Sequence, residues 1–424
     1  MRRLLERALP RGRLARRFAV LAGGTLLGQL ITTAGYPLIT RLFTPAEFGA
    51  YAVFTSLSGI LGGAASLRYE QAVQASRVER EAAGLAALAA LSAVAVAAAT
   101  VPAVWLAGPR LARAVGMPDL AGVFWLLPLA VLAAGLSQTL SAWAFQLGDF
   151  RADSLGQIAQ AAVQLLAQAL LGALALGASG LVAGYAVAYL SRFLFGLPRA
   201  LRRFRPGPRA ELAALAREHW RYPAYAAPSA VLQSATQLAP PILLAIVYDP
   251  SVAGLFGLGQ RLMSLPVRLL SQSASQVFLS EVAHAPPEAA YRLFVKTSLR
   301  FLALGAAGVI VPLLAAPALF EFAFGAAWRE AGEMVRLLVP LYLARFVVTP
   351  VAQILNLVGR QDLHLASALL GLLGLVLSLG AGWLLRLPPS ATVLLYSLAS
   401  TAALLFYFAA AWRLARRAAR GGAV

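Results

Sequence analysis

Residues 28–51 read GQLITTAGYPLITRLFTPAEFGAY. An apolar helix carries Gln29, Tyr36 and Pro37 and ends near Arg41; a tight Thr44-Pro45 turn follows, and a second apolar helix opens at Phe48-Gly49. Nearly the same text returns as LQSATQLAPPILLAIVYDPSVAGLF at residues 232–256. Gln233 stands eight residues before Pro241, as Gln29 stands eight before Pro37, and Gly254 follows Pro250 by four, as Gly49 follows Pro45. The unit of construction is a duplicated membrane hairpin.

Composition agrees. Of 424 residues, 60% are hydrophobic and 12% charged, against about 45–50% and about 25% in a soluble globule. Apolar runs of about 20 residues recur, each long enough to span a bilayer. This is a polytopic membrane protein. Its net charge of +19 invites a nucleic-acid reading, but cytoplasmic loops of membrane proteins collect Lys and Arg, and no nucleic-acid partner is expected. Cysteine is absent, which excludes disulfides, thiolate metal sites and cysteine nucleophiles. His219, His284 and His364 lie far apart, each in or beside a loop, without the short fixed spacings of metal motifs. No metal or cofactor is expected.

Twelve spans are predicted, near 18–40, 47–67, 82–106, 121–145, 154–176, 179–198, 223–247, 252–280, 291–317, 332–357, 363–385 and 390–411. They divide the chain into a basic cytoplasmic N-terminus (1–17), an N-terminal six-helix bundle (18–198), a basic cytoplasmic linker (199–221), a C-terminal six-helix bundle (222–411) and a basic tail (412–424). The fold class is all-α and integral to the membrane, in two parallel six-helix bundles. The Arg16-Arg17-Phe18 start has the look of a twin-arginine signal, but the run that follows is too long for a signal segment and reads as an uncleaved first helix. With the N-terminus inside, 26 of the 36 Lys and Arg fall on the cytoplasmic side and 6 on the other, which sets both termini inside. The repeat extends further: Val101-Pro102 is answered by Val311-Pro312, Pro128 by Pro340 and Gly148 by Gly359, at nearly constant offset. Six helices per half make the repeat parallel, and transporters so built commonly bind substrate between their halves.

Four arginines lie within spans: Arg192, Arg261, Arg268 and Arg345. Intramembrane charge is costly and normally faces a cavity or a partner. Arg261 and Arg268 are seven apart and share a helical face, with Pro266 between them. Arg41 ends span 1, and Arg68 ends span 2 in the LRYE segment with Glu70. Acidic residues cluster at loops and helix ends, so the interior reads as cationic. Forked guanidinium groups suit phosphate and carboxylate, which points to an anion-binding cavity; the other reading is snorkelling or inter-helix pairing. Gln157, Gln160, Gln164 and Gln168 form an amide ladder on span 5, with Gln29 on span 1, Gln233 and Gln237 on span 7 and Gln272 and Gln276 on span 8. Such amides bond sugar hydroxyls or join helices. Gly24/Gly28 and Gly59/Gly63 are small-xxx-small pairs for close packing. Pro37, Pro241, Pro266 and Pro350 are bending points or static kinks. No catalytic constellation is found: Gly254-x2-Gly257-x-Gly259 lies in an apolar span rather than after a strand, so it is no phosphate loop.

The Q-x7-P-x3-R-L-x2-P-x2-F-G arrangement (Gln29, Pro37, Arg41, Leu42, Pro45, Phe48, Gly49) and the Leu67–Glu70 LRYE segment resemble the polysaccharide-biosynthesis, O-antigen (Wzx-type) flippases. That family lies within the multidrug/oligosaccharidyl-lipid/polysaccharide exporter superfamily. The resemblance implies two bundles around a positively charged cavity that alternates between faces. It implies a polyprenyl-pyrophosphate-linked oligosaccharide as cargo, membrane lipids as surroundings, and glycan polymerase or ligase machinery as further partners, in the bacterial inner membrane. Arg41 and Arg68 map onto family motifs; Arg192, Arg261, Arg268 and Arg345 rest on depth and spacing. Rival readings are a cation-coupled multidrug exporter, for which span 1 lacks an acid between Phe18 and Thr40, and a non-transporting scaffold for glycan assembly.

Overall fold

The computed structural model describes residues 13–117, 120–357 and 361–420, without the side chains of 13–22, 272, 273, 276, 356, 357, 361, 362, 364 and 365. The first twelve basic-terminus residues, Gly359, and the side chains of Gln272, Gln276 and His364 therefore lie outside the described residues.

Those residues form helices and no strand. In order they are α1 (Arg13–Leu42), α2 (Pro45–Gly62), α3 (Tyr69–Ala75), α4 (Glu79–Ala114), α5 (Leu120–Gln146), α6 (Phe150–Ala173), α7 (Gly177–Arg203), α8 (Arg209–Glu218) and α9 (Tyr222–Val247). There follow α10 (Pro250–Pro266), a π-helical turn (Val267–Ser271), α11 (Gln272–Val282), α12 (Pro287–Phe324), α13 (Ala326–Ala352), α14 (Gln361–Leu384) and α15 (Pro389–Ala419). Among the described residues nine helices are long and apolar enough to cross a membrane: α4 to α7, α9 and α12 to α15. The other three expected spans are helical too. Span 1 is α1; span 2 is α2, which stops at Gly62. Span 8 is split by the π turn after Pro266 into α10 and α11.

The duplicated hairpin shows in its caps. At the α2 start Thr44 Oγ1 accepts from the Glu47 backbone N–H (3.3 Å), while Glu47 Oε2 accepts from the Thr44 N–H (2.7 Å). At the α10 start the Asp249 carboxylate accepts from the N–H groups of Ser251 (2.6 Å) and Val252 (3.1 Å). Pro45 and Pro250 each take the first helical position, where a missing N–H costs nothing. The long helices α4 and α12, of 36 and 38 residues, also correspond, and the helix after each contains or opens with a 3-10 turn (Phe124–Leu126 and Ala326–Trp328).

The chain divides inside α9, at Ala239/Pro240, into two compact units. The first half of α9 belongs with unit 1 because Leu238 and Ser234 lie against Gly59 and Gly63 of α2, where an added Cβ would approach to 2.6 and 3.2 Å. Likewise a Cβ on Gly24 would collide with Ser154 of α6, and one on Gly28 would touch the Gln157 carbonyl at 3.4 Å. Close backbone approach through small residues is how membrane helices gain dispersion energy where lipid offers no hydrophobic drive. Unit 1 has a core of Tyr69, Val73, Leu85, Trp143 and Leu215; unit 2 has one of Phe278, Phe294, Val351, Leu355 and Tyr407.

Candidate functional site

Unit 1 holds its intramembrane arginine in a closed polar network. Arg192 of α7 donates to Asp153 Oδ1 (3.0 Å) and Ser141 Oγ (2.8 Å) through one nitrogen and to Gln160 Oε1 (3.3 Å) through another. Asp153, in the first turn of α6, also accepts from Ser141 (2.6 Å) and Gln157 (2.9 Å). Gln157 in turn accepts from Thr25 of α1 at 2.9 Å. The two charged side chains are 22% and 13% exposed. A small pocket opens beside them, lined in part by Trp143, Asp149 and Arg199. The rest of the ladder joins helices: Gln164 donates to the Tyr51 hydroxyl of α2 (2.9 Å), and Gln168 to the Leu181 carbonyl of α7 (2.9 Å).

Arg68 sits in a knuckle between α2 and α3. Leu67 and Arg68 adopt φ of 48° and 65°, a left-handed conformation that costs an L-residue roughly 1–2 kcal/mol. Buried polar bonds hold it. Glu70 accepts from Ser66 (2.5 Å) and pairs with Arg68 (3.2 Å), and Gln138 of α5 donates to the Gly62 carbonyl (3.0 Å), which also accepts from the Ala65 N–H (3.2 Å). The Arg68 Nε is buried without a partner among the described residues.

Unit 2 is built differently. Arg345 of α13 is half-buried with its guanidinium 5.4 Å from the Tyr342 ring centre. Tyr342 is buried, and its hydroxyl donates to the Gln260 carbonyl of α10 at 3.3 Å. Arg268 is exposed on the π turn. The turn is tied to α13 by Ser271, whose hydroxyl donates to the Phe346 carbonyl (3.0 Å). Arg261 is half-buried on α10. Among the described residues no carboxylate pairs with Arg268 or Arg345. Arg268 lies in the π turn itself, so the seven-residue spacing from Arg261 is not spanned by regular α-helix alone.

Of the sequence-chosen residues, the structure brings together Arg192, Gln157 and Gln160 around Asp153. Arg41 is exposed at the end of α1 and Gln29 is half-buried on it, while Gln233 and Gln237 are exposed on α9. Pro37 is half-buried in α1; Pro241 and Pro350 are buried; Pro266 is exposed just before the π turn. Sequence reasoning missed Asp153 and Tyr342. One turn back along the glutamine ladder from Gln157 is Asp153, and one turn back from Arg345 is Tyr342, so helical spacing could have found both.

Comparison with known proteins places the chain. The family described as polysaccharide biosynthesis protein matches residues 38–333. No curated protein sequence matches. Among solved structures, the lipid II flippase MurJ in an inward closed conformation is similar with a TM-score of 0.71 at 11% identity, over 92% of this chain and 87% of that one. An inward-facing MATE-family multidrug resistance transporter of the MOP superfamily is similar with a TM-score of 0.66 at 14% identity, over 96% and 99%. A MOP-superfamily transporter from Pyrococcus furiosus, described by a reversed polarity of its binding pocket, gives 0.59 at 13% identity, over 96% and 97%. The chain has the fold of these transporters.

Proposed function

The chain belongs to the polysaccharide biosynthesis protein family, and from that premise we propose that it is a lipid-linked oligosaccharide flippase. It moves a polyprenyl-pyrophosphate-linked sugar repeat from the cytoplasmic to the periplasmic leaflet by alternating access, in the bacterial inner membrane with both termini cytoplasmic. The observation that carries this reading is that Arg268 and Arg345 pair with no carboxylate among the described residues, Arg345 lying against the ring of buried Tyr342. Uncompensated guanidinium charge within apolar helices is expensive. It is supported where a multivalent anion passes, and a forked donor matches phosphate oxygens. Arg261, half-buried on α10 of the same unit, adds to that cationic charge, and glycan polymerase or ligase machinery would consume the delivered repeat.

Arg192 is assigned a holding role rather than cargo contact, since its donors serve Asp153, Ser141 and Gln160. The test is lipid analysis of a deletion strain. Accumulated polyprenyl-pyrophosphate oligosaccharide with loss of surface glycan is the expected result. Unchanged glycan with altered sensitivity to cationic drugs would instead favour the multidrug exporter, the reading that the likeness to a multidrug resistance transporter keeps open.

A further inference from the structure

The stretch from Arg199 to Tyr225 joins two apolar helices, yet it is not a free loop. Leu215 of α8 is buried in the unit 1 core with Tyr69, Val73 and Trp143. Charges at the start of α4 clamp the same stretch. Arg80 reaches Glu211 through two nitrogens (2.8 and 3.2 Å), Arg203 lies 3.5 Å from Glu79, and His219 lies 3.4 Å from Glu81. Exposed ion pairs contribute little singly, but two of them and the His219–Glu81 contact around a buried leucine fix which face of the segment points away.

That outward face is strongly basic. The segment 199–221 has seven arginines against Glu211 and Glu218; Arg80 engages Glu211, and Arg203 lies against Glu79. Arg199, Arg202, Arg205, Arg209, Arg217 and Arg221 are all exposed, and among the described residues none pairs with a carboxylate. Beside them stand exposed apolar groups: Leu201 at 54%, and Trp220 and Tyr225 at 48% and 66% with ring centres 5.7 Å apart. The guanidinium of Arg199 sits 5.1 Å from the Phe195 ring centre.

We propose that this face binds the anionic phospholipid headgroups of the adjoining leaflet. Two observations meet here. The segment is covalently bracketed by the spans α7 and α9, so its arginines lie within a Debye length of the membrane surface, where each basic side chain attracts anionic lipid. Exposed Trp and Tyr next to leucine have the amphipathic make-up of side chains that settle at headgroup depth. A soluble polyanion would be met by the arginines alone and would leave Leu201, Trp220 and Tyr225 in water. The clamp on α4 presents the basic face in one orientation, so the ordering cost of binding is reduced before a lipid arrives. This inference does not depend on what the protein transports.

The experiment uses the full-length protein in detergent, with phosphatidylglycerol or phosphatidylcholine added and bound lipid counted by native mass spectrometry. The wild type should prefer phosphatidylglycerol. A triple variant Arg202→Gln/Arg209→Gln/Arg217→Gln should lose that preference by about fivefold or more per arginine, while Arg110→Gln/Arg113→Gln, on α4 away from its clamped start, should keep it. A second measurement needs no variant: amides of residues 199–225 should exchange hydrogen more slowly in phosphatidylglycerol nanodiscs than in phosphatidylcholine ones. A triple variant with the wild-type preference, a control variant that loses as much, or equal exchange in both lipids would overturn the proposal.

Discussion

Arg192 and Arg345 are both guanidinium groups inside apolar helices, and their surroundings differ. Arg192 and Asp153 neutralise each other within a network that leaves few donors unspent. Removing one partner of this partly buried pair leaves the other charge without its counterpart. Arg192→Ala and Asp153→Asn should each lower the thermal unfolding midpoint in detergent. A double-mutant cycle should show coupling; additive losses would mean the pair is not formed. Among the described residues no carboxylate pairs with Arg268 or Arg345. Arg268→Ala should leave the midpoint close to wild type and abolish surface glycan in complementation, and Arg268→Lys should restore it only in part, because lysine keeps charge but loses the fork. Normal glycan in Arg268→Ala and in the double variant with Arg345→Ala would remove both from the cargo route. The four span arginines were legible in the sequence, because charge in an apolar run stands out. Their different roles were not, because these depend on Asp153 and Tyr342, which neighbour them only once α6 and α7, or α10 and α13, are packed.

Helix ends were the most readable elements. Thr44-Pro45 and Asp249-Pro250 place a side-chain acceptor before a proline, and the structure uses both as an N-cap followed by a first-turn proline. Thr44→Ala and Asp249→Ala should each cost about 1 kcal/mol of stability, seen as matched falls in unfolding midpoint. A fall at only one of them would break the correspondence between the two hairpins. Gly24 and Gly28 were also correctly read as packing residues. Gly24→Val puts branched carbons where α6 already sits, an overpacking expected to cost about 1–3 kcal/mol, whereas Gly23→Ala meets open space and should be neutral or mildly stabilising. Two interruptions were not legible. The knuckle at Leu67-Arg68 puts non-glycine residues at positive φ, held by Ser66, Glu70 and Gln138 rather than by any turn residue. The π turn after Pro266 depends on Ser271 bonding across to α13, a contact no local pattern encodes.

At the scale of the molecule, the duplicated hairpin, the paired long helices and the matching family and folds converge on a transporter-like membrane protein of polysaccharide biosynthesis. The all-helical membrane fold was legible because membrane helices are written as apolar runs. The cargo was not, since sugar identity is read by side chains whose partners are set by packing. The central claim is movement of a pyrophosphate-linked sugar across the bilayer, and the direct measurement is leaflet exchange in proteoliposomes. Purified protein is reconstituted with a polyprenyl-pyrophosphate saccharide, and the sugar newly exposed to a membrane-impermeant lectin is followed over time. Wild-type protein should expose it well above the protein-free rate, and Arg268→Ala/Arg345→Ala should fall back to that rate. Wild-type exposure no faster than in protein-free vesicles would contradict the account.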